Sequence, residues 1–268
     1  MIASLGTALA SGERPARGDY EWTGMPADMP GLIDRYRADL RAVEQFYPLV
    51  FSAERIEALN GFHRTWLKGI EAVDFSKLDE EGRIDWLLLR NQNQRSLADL
   101  ELETRRWKEM EGLVGFAPAL WRLEAKRQRV DPIEGNEAAG ILVNVTKQIR
   151  ELDTWLKKPE TAKPQQTVAL RAHRLTLEME KNLKSWFAFY KGYDPVFEWW
   201  LKDPVEKLSK SLVDYAAVLR ERGAGLKKDD KDTIVGDPVG REAILSDLRF
   251  EMNAYTPCLL YTSDAADE

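Results

Sequence analysis

Apolar residues recur at intervals of three and four along most of the chain, and this spacing constrains the fold more than any other feature. Such intervals place apolar side chains on one face of an α-helix. The clearest example is the stripe Val168, Ala172, Leu175, Met179, Leu183, Trp186 and Tyr190. No segment alternates with the period of two that indicates a half-buried strand. The sequence therefore predicts an all-α fold, a multi-helix array with antiparallel neighbours joined by short turns.

Prolines, glycines and acidic residues predict where these helices begin and end. Helices are expected from Gly31 to Tyr47, Ser52 to Ile70, Asp79 to Gly112, Pro118 to Asp131, Asn136 to Lys158, Val168 to Tyr190, Val205 to Arg222 and Arg241 to Met252. Asp203-Pro204 is expected to interrupt the helical structure just before the seventh of these helices, because proline has no backbone N–H to donate. Residues 223–237 are rich in Gly, Lys and Asp and predict an exposed loop with a short hairpin at Thr233–Val235.

The first 30 residues are expected to form an irregular lead-in to a helical domain of residues 31–257. Within this lead-in, Ile2–Ala10 is apolar and ends in Ala8-Leu9-Ala10, which is similar to the cleavage site of a secretory signal peptide. No Lys or Arg precedes this run, so a signal-peptide remnant and a chance similarity both remain open. The first alternative slightly favours a periplasmic or secreted location over a cytoplasmic one.

The last eleven residues, 258–268, read Cys-Leu-Leu-Tyr-Thr-Ser-Asp-Ala-Ala-Asp-Glu. They resemble, at every position, the translation of a transposase-type sequencing adapter. We therefore expect residues 258–268 to be an adapter-derived artefact and the helical domain to be incomplete, with the natural reading frame continuing after Pro257. Cys258, the only cysteine of the chain, then belongs to the artefact.

The composition argues against several classes of function. The formal net charge is −6, so no basic excess indicates a nucleic-acid partner. No apolar run approaches the roughly 18 residues that a membrane span needs. One cysteine and two histidines do not make a disulfide framework or a structural zinc site. The sequence also lacks a Gly-rich phosphate loop and a nucleophile elbow. We predict no catalytic, cofactor-binding or metal-binding residue in this chain.

A few polar residues nevertheless lie where apolar ones are expected. His63 and His173 each lie on a helix without a second His four residues away, so both are predicted to be packing residues rather than metal ligands. Asn91, Gln94 and Arg95 lie on or beside the predicted inward stripe of the long third helix. That stripe is Ile84, Leu88, Asn91, Arg95, Ala98 and Leu102. The polar residues could line a substrate cavity, pack against polar groups of another helix or face water.

Tryptophan is abundant, with nine residues in the chain. Most of them fall within the helical patterns, and packing in the core and in grooves between helices is the expected role.

Two stretches carry a resemblance to a known family. The first is residues 78–91, Leu-Asp-Glu-Glu-Gly-Arg-Ile-Asp-Trp-Leu-Leu-Leu-Arg-Asn. The second is residues 235–245, Val-Gly-Asp-Pro-Val-Gly-Arg-Glu-Ala-Ile-Leu, continuing through 248–252 and Tyr255-Thr256-Pro257. In order and spacing both resemble the bacterial family called domain of unknown function 885, over roughly residues 30–257.

The resemblance implies a mostly helical protein of about twice this length, often exported and similar to gluzincin-type zinc metallopeptidases. It implies a zinc site, His-Glu-x-x-His with a downstream acid, in the C-terminal half. This chain contains no such motif. The implied role is that of an N-terminal helical half that walls a substrate channel, with the missing C-terminal half as its partner and a peptide as substrate. The alternative is a helical binding or scaffold protein without catalysis.

Overall fold

The computed structural model describes residues 28–227 and 233–253, and all regular structure in these ranges is helical. The described α-helices are α1 Met29–Phe46, α2 Ala53–Glu71, α3 Glu80–Val114, α4 Ala117–Gln128, α5 Gly135–Lys157, α6 Gln166–Tyr190, α7 Pro195–Val218 and α8 Arg241–Phe250. The predicted all-α array is confirmed. The apolar run Ile2–Ala10, most of the predicted lead-in and residues 254–268 lie outside the described residues.

Side-chain caps mark the starts of several helices. The hydroxyl of Ser52 accepts the backbone N–H of Arg55 at 3.2 Å at the start of α2, as predicted. A carboxylate oxygen of Asp79 accepts the N–H of Gly82 at 2.8 Å ahead of α3. Each of these bonds satisfies a backbone donor that the first turn of a helix leaves unpaired, which stabilises the helix by about 1 kcal/mol. Local chemistry therefore sets both helix starts.

The chain divides into two compact units. The first unit contains the residues up to Thr104 and those from Asp237 onwards, and the second unit is Arg105–Gly236. Helix α3 supplies residues to both. Burial of a large apolar side chain stabilises a fold by about 1.5–3 kcal/mol, so each unit depends on its own buried cluster. None of the described helices is long and apolar enough to cross a membrane.

The first unit is built around α1, α2 and the first part of α3. Its buried cluster consists of Met29, Leu32, Tyr36, Val43, Leu59, Phe62, Trp66, Ile70, Leu89 and Leu100. The rings of Tyr36 and Trp66 meet edge to face with their centroids 5.2 Å apart. At the rim of the cluster, the indole N–H of Trp86 donates to the carbonyl of Ile70 at 2.7 Å. This hydrogen bond ties α3 to the last turn of α2.

In the second unit α5 and α6 both pack against α7, and α4 packs against α5 and α6. The largest fully buried side chains of this unit are Phe116, Met110, Leu142, Ile149, Leu201, Leu208, Leu212, Tyr215 and Leu219. A π-helical turn, Leu219–Gly223, follows α7 directly. It packs against α6. The Cβ of Ala169 lies 2.9 Å from where a Cβ on Gly223 would be. The absence of a side chain at Gly223 permits this close approach.

Two predictions about local structure are wrong. Pro204 does not interrupt the helix: α7 runs from Pro195 to Val218 and includes it. The buried residues Leu201, Val205 and Leu208 hold both sides of this proline in one helix. The predicted hairpin at Thr233–Val235 is also absent, since residues 233–240 have no regular structure.

The predicted inward stripe of α3 is wrong at its apolar end. Ile84 and Leu88 are each 52% exposed, whereas Leu89, Asn93 and Leu100 are buried. Residues 87–89 are three consecutive leucines, so the apolar pattern fits two different faces of the helix. The core of the first unit takes the face that carries Leu89, and that face includes the buried polar residue Asn93.

Candidate functional site

The polar residues singled out on α3 contact the end of α8, within the first unit. The side-chain amide of Asn91 donates to the carbonyl of Phe250 at 2.7 Å. The guanidinium of Arg95 forms an ion pair with Glu251 at 2.5 Å. Gln94 is partly buried beside them. Of the three alternatives for this group, packing against polar groups of another helix is confirmed for Asn91 and Arg95.

Several carboxylates surround the guanidinium of Arg95. Its hydrogen bond to Glu251 raises the pKa of Arg95, and the charges of Asp99 and Asp247 raise it further. Partial desolvation raises the pKa of Asp99, against the influence of Arg95, and nearby Asp247 raises it too. The guanidinium of Arg95 therefore carries a permanent positive charge among these carboxylates, and its ion pair with Glu251 links α3 to the end of α8.

The contact also joins the two stretches that carry the family resemblance. Asn91 ends the first stretch, and Phe250 belongs to the second stretch, 159 residues further along the chain. The two stretches therefore meet in one unit.

Helix α8 covers only part of this face of α3. Ile84, Leu88, Asn91 and Arg95 follow one another at helical spacing, so they lie on one stripe. Asn91 and Arg95 contact α8, whereas Ile84 and Leu88 remain about half exposed and neighbouring Leu87 is 46% exposed. We call Ile84, Leu87 and Leu88 the open apolar face of α3. These three side chains are neighbours at i, i+3 and i+4 spacing, so their exposed parts form one continuous apolar surface.

His63 lies in the core of the first unit, as predicted for a packing residue. It is 3% exposed, and its Nδ1 lies 3.1 Å from the amide oxygen of Asn93. Burial lowers the pKa of His63, against the opposing effect of its bond to Asn93. Periodicity alone missed Asn93. The signal that could have found it is its position four residues after Leu89, on the face that proved to be buried.

His173 is partly buried in the second unit, on α6. Its Nδ1 donates to the carbonyl of Ala216 on α7 at 2.7 Å. Ala216 lies just before the π-helical turn, where the regular pattern of backbone hydrogen bonds changes register. His173 thus supplies a donor at a helix irregularity, which agrees with the predicted packing role.

Another buried polar group of the second unit is Glu180. Burial raises its pKa, but hydrogen bonds from Lys184 and Ser209, both at 2.6 Å, prevail and leave the pKa lowered. A carboxylate held ionised by two donors is a structural group, since a general base needs a pKa close to the working pH.

The residues that the structure describes contain no group of three or more His, Cys, Asp or Glu side chains arranged to hold a metal ion. A gluzincin zinc site needs two histidines on one helix face and a further acid. His63 and His173 lie on different helices in different units. The described residues therefore do not fit the zinc that the resemblance implies for the whole protein.

The tryptophans divide between core and surface. Trp66, Trp121 and Trp186 are buried, which confirms the predicted packing role for them. Trp199 is 73% exposed, and Trp155 and Trp200 are also exposed. Trp199 and Trp200 contact each other near the start of α7, with ring centroids 4.9 Å apart. None of these three residues lies in the core, although Trp200 packs against the start of α5, where its Cδ1 lies 3.3 Å from the position of a Cβ on Gly135.

Comparison of the chain with protein-family models, with curated proteins and with solved structures found no match. The resemblance to the domain of unknown function 885 family stays a prediction.

Proposed function

We propose that this chain is the N-terminal helical part of a bacterial zinc-metallopeptidase-like protein. In this role it walls a substrate channel for peptides and supplies no catalytic residue. The zinc ion, which would activate a water for peptide hydrolysis, would be bound by the C-terminal half. No step of the reaction is assigned to the residues described above, because they do not form a zinc site.

The observation that carries this proposal is the half-covered stripe on α3. Its polar end is bound by α8, and its apolar end, the open apolar face, is left to solvent. A stripe of this kind is stabilised when a further helix covers it. Burying the exposed half of each large apolar side chain gains roughly half of the 1.5–3 kcal/mol that full burial gives. The C-terminal half is the proposed occupant, and both stretches that resemble the family border this stripe.

The first test concerns the chain alone. The purified chain should contain no stoichiometric zinc by elemental analysis after incubation with zinc and desalting. It should also leave a mixture of fluorogenic peptides uncleaved. Stoichiometric zinc, together with hydrolysis that a chelator abolishes, would contradict the proposal that the catalytic residues lie outside this chain.

The second test concerns the open apolar face. In a protein extended by its natural C-terminal half, Leu88→Glu should separate the two halves and abolish peptide hydrolysis, because it places a charge in an apolar contact. Val143→Glu, which makes the same kind of change at an exposed apolar position of α5 in the second unit, should leave hydrolysis unchanged. Equal activity of the two variants would show that the open apolar face does not hold the C-terminal half.

A further inference from the structure

His63 has one defined tautomer in the folded protein. The amide nitrogen of Asn93 donates to the carbonyl of Leu89 at 2.8 Å, so the amide oxygen of Asn93 faces His63. The Nδ1 of His63 must therefore carry the proton that this oxygen accepts. Nε2 then carries the lone pair, and protonation in acid must occur there.

The surroundings of Nε2 are not suited to a positive charge. His63 is 3% exposed and Asn93 is fully buried. The rings of Phe62 and Tyr36 lie beside the imidazole, with centroids 5.1 and 6.3 Å away. An imidazolium in this position loses its hydration, and a buried charge without a partner is strongly destabilising.

Among the described residues, no buried carboxylate of α1, α2 or α3 is free to compensate for that charge. On α1 the buried ionisable groups are Tyr36, whose pKa burial raises to about 12, and Asp39. The carboxylate of Asp39 is bound by Arg35 of the same helix at 2.9 Å. On α3 the buried residues of the first unit beyond Gly82 are Leu89, Asn93 and Leu100, which are uncharged. On α2 the buried residues other than His63 are uncharged as well.

We propose that the first unit is an acid-sensitive switch, in which protonation of His63 in mild acid separates α2 from α3. The separated state is favoured because there the imidazolium is hydrated. The bond that breaks is the contact of His63 with Asn93, and the Tyr36, Phe62 and Trp66 cluster loosens with it. The second unit has its own core and lacks a fully buried histidine among its described residues. This inference does not depend on the proposed function.

The direction of the pH effect follows from proton linkage. The pKa of His63 is lowered in the folded state, so the open state binds the proton more tightly. The closed state is therefore fully stable above the ordinary histidine value of about 6.5, and it loses stability as the pH falls from there towards the lowered value. Over that interval the equilibrium constant for opening should rise about tenfold per pH unit, and below it the dependence should flatten.

The experiment uses the full chain, His63→Gln and His173→Gln, with urea unfolding followed between pH 7.5 and 4.5. The chain has two histidines, so His173→Gln is a matched control. The parent protein and His173→Gln should show the same steep loss of stability in mild acid, and His63→Gln should show a shallower one. An unchanged pH dependence in His63→Gln would overturn the proposal.

A second measurement keeps the proposal testable if His63→Gln does not fold. Nuclear magnetic resonance of the chain labelled at the histidine Cε1 atoms gives two signals, which the His173→Gln spectrum assigns. The His63 signal should titrate below pH 6.5. The protection factors of the α2 amides, which correct for the slower intrinsic exchange in acid, should fall over the same pH range. A His63 titration at or above pH 6.5, or one without a fall in the α2 protection factors, would contradict the switch.

Discussion

Gly223 lies where the π-helical turn comes closest to α6. A Cβ at this position would lie 2.9 Å from the Cβ of Ala169 and 3.6 Å from Cγ of Pro164. Gly223 and Ala169 are both buried, so neither can move without disturbing the core of the second unit. A single hydrogen atom in place of a side chain is therefore a requirement of the packing here.

We predict that Gly223→Ala lowers the free energy of unfolding by about 1–3 kcal/mol, the usual cost of overpacking. Gly140→Ala is the control, because Gly140 is an exposed residue of α5 with no atom within 4 Å of its added Cβ. That variant should raise the free energy by about 0.5–1 kcal/mol, since alanine favours a helix over glycine. Urea unfolding measures both changes. If Gly223→Ala left the free energy of unfolding unchanged or raised it, the turn would be able to shift away from Ala169 at no cost.

Tyr215 supports the end of α3 within the second unit. Its hydroxyl donates to the carbonyl of Leu113 at 2.8 Å, which is among the last four carbonyls of α3 and has no regular partner in the helix. We predict that Tyr215→Phe lowers the free energy of unfolding by about 1–3 kcal/mol, because it leaves a buried acceptor unpaired.

The stability of the protein at alkaline pH gives an independent test of whether the Tyr215 hydroxyl is buried. Burial raises the pKa of Tyr215 above its ordinary value, with a further contribution from Asp153. The unfolded state therefore ionises first, and stability falls as the pH rises above about 10. Tyr215→Phe should lose part of this alkaline dependence in thermal unfolding at pH 9 to 11. An identical dependence in both proteins would contradict the burial of the hydroxyl.

At the scale of the elements, α7 continues through a residue that normally ends helices. Pro204 lacks an N–H, so the carbonyl of Trp200 loses its partner inside the helix. We predict that Pro204→Ala raises the melting temperature, with a gain of about 1–3 kcal/mol from the restored hydrogen bond and the relief of the ring clash. Pro195→Ala is the control, because Pro195 lies in the first turn, where no N–H is needed. A lower melting temperature for Pro204→Ala would show that the ring itself is needed for packing.

The attachment of α8 to α3 depends on a partly buried hydrogen bond more than on an ion pair. Asn91 is bonded to the last residue of α8, whereas the pair Arg95–Glu251 is partly exposed and such pairs contribute about 0–1 kcal/mol. We predict that Asn91→Ala accelerates amide exchange in α8 more than Arg95→Ala does. Hydrogen–deuterium exchange followed by mass spectrometry measures this. If Arg95→Ala accelerated exchange in α8 as much as Asn91→Ala or more, the hydrogen bond of Asn91 would not be the stronger attachment.

The elements also show what could be predicted from the sequence. Helices α2 and α6 have one apolar stripe each, so periodicity predicted both their extent and their buried face. Helix α3 has three consecutive leucines and hence two candidate faces, and periodicity favoured the exposed one. The partner of Asn91 lies 159 residues away, and no local pattern indicates which helix covers which. The prediction at Pro204 was wrong because the burial of Leu201 and Val205 outweighs the tendency of proline to end a helix.

At the scale of the whole molecule, the described residues form two helical units. The structure places the two histidines in packing roles, one in each unit. It also places a helix-docking contact and an open apolar face together on α3. The proposed function rests on the contact between α3 and α8, on the open apolar face and on the family resemblance.

The central claim, that this chain is the N-terminal wall of a larger zinc-peptidase-like protein, is tested most directly by sequencing the source DNA beyond the codon for Pro257. We predict that the natural gene does not encode Cys258–Glu268 and that its reading frame continues for about as many residues again. That continuation should contain His-Glu-x-x-His on a helix with an acid downstream. A stop codon soon after Pro257, or a long continuation without this motif, would contradict the account and favour a helical binding protein.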